Sequence, residues 1–200
     1  LVFDRKEIVI PAGMELVRAS LSSSQKFLTM ELRPYQEKVN KDKKEEEIKP
    51  DKSFELELWT WDEYEVPTLQ TRSRYSHPQY SKYIYDITSQ KLTEVAPGHA
   101  DLLEPDRAEE IHYVLYTDET PYRAQKDWLN EMPFDIYSVN VHTGEKQLVG
   151  RSYRTRPRWS VNGKWAVMYD PVAQVWNKFD GKTGEVTDIS TAIGYPIFEE

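Results

Sequence analysis

Residues 134–150 read FDIYSVNVHTGEKQLVG, and the fold turns on whether this stretch is a lone hairpin or one copy of a repeat. Tyr137, Val139 and Val141 alternate with Ser138 and Asn140, the period-two pattern of a half-buried strand. Thr143-Gly144 supplies a turn in which glycine is free to take positive φ, and Lys146–Val149 reads as the return strand. Taken alone, this is a hairpin without functional content.

The stretch has two companions. Residues 85–95 read YDITSQKLTEV, residues 139–149 VNVHTGEKQLV and residues 179–189 FDGKTGEVTDI. They align without gaps, bringing Asp86, Asn140 and Asp180 together, then Ser89, Thr143 and Thr183. The turn position is Gln90, Gly144 and Gly184, and Val95, Val149 and Ile189 close each copy. The turn positions lie 54 and 40 residues apart. Each hairpin is preceded by a second element. Ser160-Val161-Asn162-Gly163 turns into a strand at Lys164–Tyr169, Pro105-Asp106-Arg107 leads to a strand around Ile111–Thr117, and Ser22-Ser23-Ser24-Gln25 leads to KFLTMEL.

Each unit therefore reads as four strands joined by turns, at a period near the ~40–50 residues of a β-propeller blade. The expected fold is all-β, with about three four-stranded β-propeller blades, partly incomplete, forming a fragment of a larger propeller. The blades are placed at 11–95, 97–150 and 151–190, with the next segment starting at 191–200. A β-sandwich with hairpins alike by chance is the rival. The charged run 33–53, RPYQEKVNKDKKEEEIKPDKS, has no apolar stripe and nearly balanced Lys and Glu, so it reads as a solvated insertion. Residues 118–133 read as a second insertion, holding Tyr122 and Trp128, with a short helix around 123–130. Loops of this kind line one end of a propeller and often carry its contacts.

Composition narrows the function. With 34 acidic against 26 basic residues the net charge is −8, which gives a nucleic-acid partner no electrostatic support. No apolar run approaches the roughly 18–20 residues of a membrane span. The absence of cysteine removes disulfides, thiol catalysis and Cys-ligated zinc, and leaves the compartment open. The chain begins Leu1-Val2-Phe3, with no signal peptide visible, and stops at Ile197-Phe198-Glu199-Glu200 as an apolar segment begins. That reads as a piece of a longer protein.

No catalytic pattern emerges. His77, His99, His112 and His142 have no metal-site spacing such as HExxH; His77 and His142 read as surface loop residues. Gly-x-Ser-x-Gly, which presents a serine on a strained turn, is missing; Gly150-Arg151-Ser152 lacks its second glycine. Gly181-Lys182-Thr183-Gly184 is a repeat turn, not a phosphate loop. Glu109-Glu110 and Glu199-Glu200 are acidic pairs of the kind an acidic chain contains by chance. The sequence offers no catalytic, cofactor or metal residues. Candidates for peptide contact are Trp59, Trp61 and Trp128. Trp59 and Trp61, two apart on a strand, share a face, where inter-blade packing is the commoner use of such a pair. Trp128 serves equally well as a cap on its own blade's core.

Residues 55–70, ELELWTWDEYEVPTLQ, the strand entry Ser160–Trp165 and the tail DISTAIGYPIFEE resemble the N-terminal propeller of serine peptidases of the prolyl oligopeptidase family, bacterial type. The resemblance covers essentially the whole chain. It implies a propeller preceding a C-terminal α/β-hydrolase domain with a Ser-Asp-His triad, none of which matches these residues. It also implies a non-catalytic gate, restricting peptide substrates by steric and electrostatic selection, and favours a periplasmic or secreted location. The long charged insertion departs from the strictly proline-specific enzymes. The alternative is a stand-alone propeller similar to TolB-type modules, acting as a protein-binding scaffold; a carbohydrate-active propeller is a third. Since a blade buries both faces, an isolated arc is also expected to self-associate.

Overall fold

The computed structural model describes residues 8–35, 80–125 and 128–193. They form three four-stranded antiparallel sheets, each wound in chain order. The first holds β1 (Met14–Leu21), β2 (Phe27–Pro34), β3 (Ser81–Asp86) and β4 (Lys91–Ala96). The second holds β5 (Asp101–Leu103), β6 (Tyr113–Asp118), β7 (Phe134–Asn140) and β8 (Lys146–Tyr153). The third holds β9 (Arg158–Trp159), β10 (Trp165–Asp170), β11 (Val175–Asp180) and β12 (Val186–Asp188). Three consecutive four-stranded meanders packed in series are propeller blades. The all-β expectation and the blade repeat both hold.

Period-two alternation distributes the side chains between two seams. Along β6, Val114 and Tyr116 face the first sheet, joining Phe27, Ile84, Val95, Val139 and Val141. Leu115 points the other way, into a cluster with Phe134, Ile136, Ala166, Met168 and Phe179 that closes the seam with the third sheet. The two central strands of the middle sheet, β6 and β7, are thus buried on both faces, which is why the sequence carries apolar residues there without a clean polar face. On the far side of the first sheet, Met30, Leu32, Tyr83 and Tyr85 are covered in part by Ile8 and Ile10.

The repeated hairpin owes its likeness to one turn device. Asp86, Asn140 and Asp180 each bend a side-chain oxygen back onto the amides two and three residues on, at 2.9 and 3.4 Å, 2.9 and 3.1 Å, and 2.9 and 3.0 Å. Gln90, Gly144 and Gly184, the aligned turn residues, all have positive φ, at 55°, 81° and 78°. The device recurs outside the aligned hairpins: Asp170 caps Val172 and Ala173 at 2.8 and 3.0 Å, and Gln174 has φ 57°.

Two local expectations need correction. The helix placed around 123–130 is a 3-10 turn at Thr120–Gln125, with Pro121 at its start where a missing amide costs nothing. Trp128 does not cap its blade's core, for it is 86% exposed. Trp59, Trp61 and His77 lie outside the described residues. Among the described residues no helix is long and apolar enough to cross a membrane.

Candidate functional site

Alternation along a meander puts the first and third turns of each sheet at one end and the second at the other. Contacts across the seams show that all three sheets present the same end together. Ser23 Oγ donates to the Asp106 carbonyl at 3.1 Å and Lys91 Nζ to the His142 carbonyl, tying the first sheet to the second. The Arg107 amide donates to the Val161 carbonyl at 3.1 Å, tying the second to the third. This end carries the turns 22–25, 86–90, 104–112, 140–144, 160–163 and 180–184.

At the first seam the register assembles a polar cluster. The Val141 amide donates to the His112 carbonyl at 2.9 Å, extending the β6–β7 ladder by a step. That bond brings His112 beside His142, with ring centroids 5.4 Å apart and edge to face. His142 Nδ1 lies 3.9 Å from Asp86 and His112 Nε2 lies 3.6 Å from Glu110, which also faces Lys26 at 4.0 Å. His142, read from sequence as a lone loop residue, thus has neighbours that no linear spacing reveals. Among the described residues no group of three or more His, Asp or Glu is placed to hold a metal ion. His99 sits apart, 3.5 Å from Asp118.

At the second seam lies a cavity of about 440 Å³, lined by Arg107, Glu109, Glu110, His112, Lys164 and Lys182 among others. Two glycines set its depth. A Cβ on Gly181 would collide with the Gly163 carbonyl oxygen, and one on Gly163 would meet the Ala108 Cβ at 2.8 Å. Gly163 also has φ 69°, where a side chain is strained. The turn at 160–163 therefore docks closely against the 104–112 connection and the turn at 180–184 against 160–163, so that Arg107, Lys164 and Lys182 line one cavity.

Two acids at this end, Asp86 and Asp180, cap their own turns. Backbone amides of Thr183 and Lys182 hold the Asp180 carboxyl below its ordinary range, against a smaller opposing push from burial. For Asp86, burial pushes upward most, but hydrogen bonds from Ser89 and Thr88 outweigh it and the net direction is down. Deeper in the first seam Tyr116, stacked on Tyr137 at 5.0 Å, is pushed up to about 12, by burial first and then by Tyr137 and Asp118. It stays a neutral phenol at physiological pH.

No protein-family model matches the chain, and no curated protein matches it. Among solved structures it is similar to TolB from Acinetobacter baumannii, at 11% identity and a TM-score of 0.34. The match covers 88% of this chain and 32% of that one, so the chain spans about a third of its length. A likeness this slight assigns no role to any residue; the fold rests on the three sheets themselves.

Proposed function

We propose that this chain is a non-catalytic, peptide-binding scaffold whose working surface is the turn-bearing end of its blades. The observation that carries this reading is the second-seam cavity, where Arg107, Lys164, Lys182 and Glu109 surround a concave space built on close-packed glycines. Charged groups of both signs around a cleft suit the amides, amines and carboxylates of a peptide. Covalent catalysis would require a nucleophile beside a base. Among the described residues, the hydroxyl hydrogen bonds run to carboxylates, amides, carbonyls and other polar side chains, not to a histidine ring.

The prolyl oligopeptidase resemblance would make the same surface the gate of a peptidase. Fluorophosphonate labelling of the native polypeptide separates the two: labelling attaches these blades to a serine hydrolase, and its failure leaves a scaffold. The binding reading has its own test. A photo-crosslinking residue at Val161, 64% exposed on the turn-bearing end, is compared with one at Val172, 80% exposed on the opposite end. Incubated with a mixed peptide pool, the Val161 variant is expected to capture peptide and the Val172 variant not. Equal capture at both positions, or none, overturns the proposal.

A further inference from the structure

The chain has a net charge of −8, yet the second-seam cavity gathers cations. Arg107, Lys164 and Lys182 come from three separate turns onto one rim. Among the described residues none of the three is in an ion pair. Their acidic neighbours do not cancel them. Glu110 faces Lys26 and the His112 ring on the first-seam side. Asp180 turns inward to cap the amides of Lys182 and Thr183. Glu109 alone is left to oppose three cations across the cavity.

Resting on the peptide-binding reading above, we infer that this cavity selects a peptide segment bearing acidic side chains. Arg107, Lys164 and Lys182 receive the carboxylates. An acidic molecule repels an acidic partner at long range, so local attraction at the rim must overcome the field of the whole chain. This predicts short-range, salt-sensitive binding confined to the cavity. The concave floor supplies what a flat lysine patch lacks: part of a bound chain sits below the rim, where its charges are screened less.

The test is a titration of the full chain with a fluorescein-labelled Gly-Glu-Gly-Glu-Gly-Glu peptide, read by anisotropy. The glutamine counterpart and inorganic phosphate serve as controls. The Glu peptide should bind, and the double variant Lys164→Glu/Lys182→Glu should weaken it at least about tenfold, as reversal of contacting charges does. Both lysines are exposed, so the variant should keep the parent's circular dichroism and melting temperature. Glu109→Lys should tighten binding, a gain that misfolding cannot imitate. Raising NaCl from about 50 to about 300 mM should weaken binding as screening shortens. Equal affinity for the Gln peptide, or indifference to the three substitutions, overturns the inference. Displacement by phosphate as effective as by unlabelled Glu peptide overturns the peptide as the source of the anion. If Val161 crosslinks a neutral or basic peptide while charge reversal changes nothing, the scaffold reading survives and only the acidic preference fails.

Discussion

At positions 90, 144, 174 and 184 the backbone is left-handed, and only two of the four residues are glycine. An L side chain there costs about 1–2 kcal/mol against the right-handed form, offset in part by the greater unfolded-state entropy of glycine. Gln90→Gly and Gln174→Gly should therefore each stabilise the chain by about 0.5–1 kcal/mol, measured by urea denaturation. Gly184→Ala should destabilise it by more than that, because a Cβ would also meet the Tyr113 ring at 2.9 Å. The aspartates four residues earlier add a pH dependence. The Asp180 carboxyl is held below its unfolded value by the Thr183 and Lys182 amides, so its stabilisation is fully present above the ordinary carboxylate range. It is lost as pH falls through the lowered value. Asn140 performs the same capping without a charge. Asp180→Asn should therefore keep neutral-pH stability within about 0.5 kcal/mol and flatten the acid limb of the stability curve. These turns were half legible in the sequence. Thr-Gly at 143–144 and 183–184 signals a turn by its glycine, and gap-free alignment carried that signal to Gln90. Nothing of the kind marks Asp170–Gln174, where Pro171, Val172 and Ala173 hide the turn.

Among the elements, the 119–133 connection shows what a local pattern leaves out. Its 3-10 turn is held to β7 by the Tyr122 hydroxyl, which donates to Asp135 Oδ1 at 2.6 Å; the same oxygen accepts the Ser152 amide at 3.1 Å. Asp135 is only 5% exposed, so these donors satisfy an otherwise costly buried carboxylate. Burial first, and then the Asp135 bond, push the Tyr122 phenol upward, which keeps it a donor. Tyr122→Phe should lower stability by about 1–2 kcal/mol, the usual worth of a bond to a charged group. It should also speed amide exchange across 120–125 more than elsewhere. If both regions exchange alike, the anchor is not what holds the turn. The sequence offered Tyr122 and Asp135 as separate residues, one in an insertion and one on a strand. Their pairing depends on how β7 meets β8, where the register shifts and Ser152 takes φ 57°. Bulges of this kind leave no periodic trace.

On the scale of the molecule, the blade repeat was legible because three hairpins share one gap-free register around the same turn, while the working surface was not. His112 and His142 are 30 residues apart in the chain, and only the ladder joining the Val141 amide to the His112 carbonyl makes them neighbours. The cavity at the second seam needs three turns from two sheets, with Gly163 and Gly181 chosen for space as much as for turning. The seam beneath it rests on Phe179, fully buried and edge to face with Tyr113 and Trp159 at 6.1 and 5.8 Å. Phe179→Ala should cost about 3–5 kcal/mol and loosen the third sheet first. Loss of near-ultraviolet dichroism from the Trp159 region would register that order. A uniform loss of stability in all three sheets would contradict it.

The most direct test of the peptide-binding scaffold is hydrogen exchange on the full chain with and without the Glu-containing peptide. Slowed exchange in 104–112, 160–164 and 181–184, unchanged exchange in 120–125 and 170–174, and intact peptide at the end are the predicted result. Protection confined to the opposite end, or cleavage of the peptide, would contradict it.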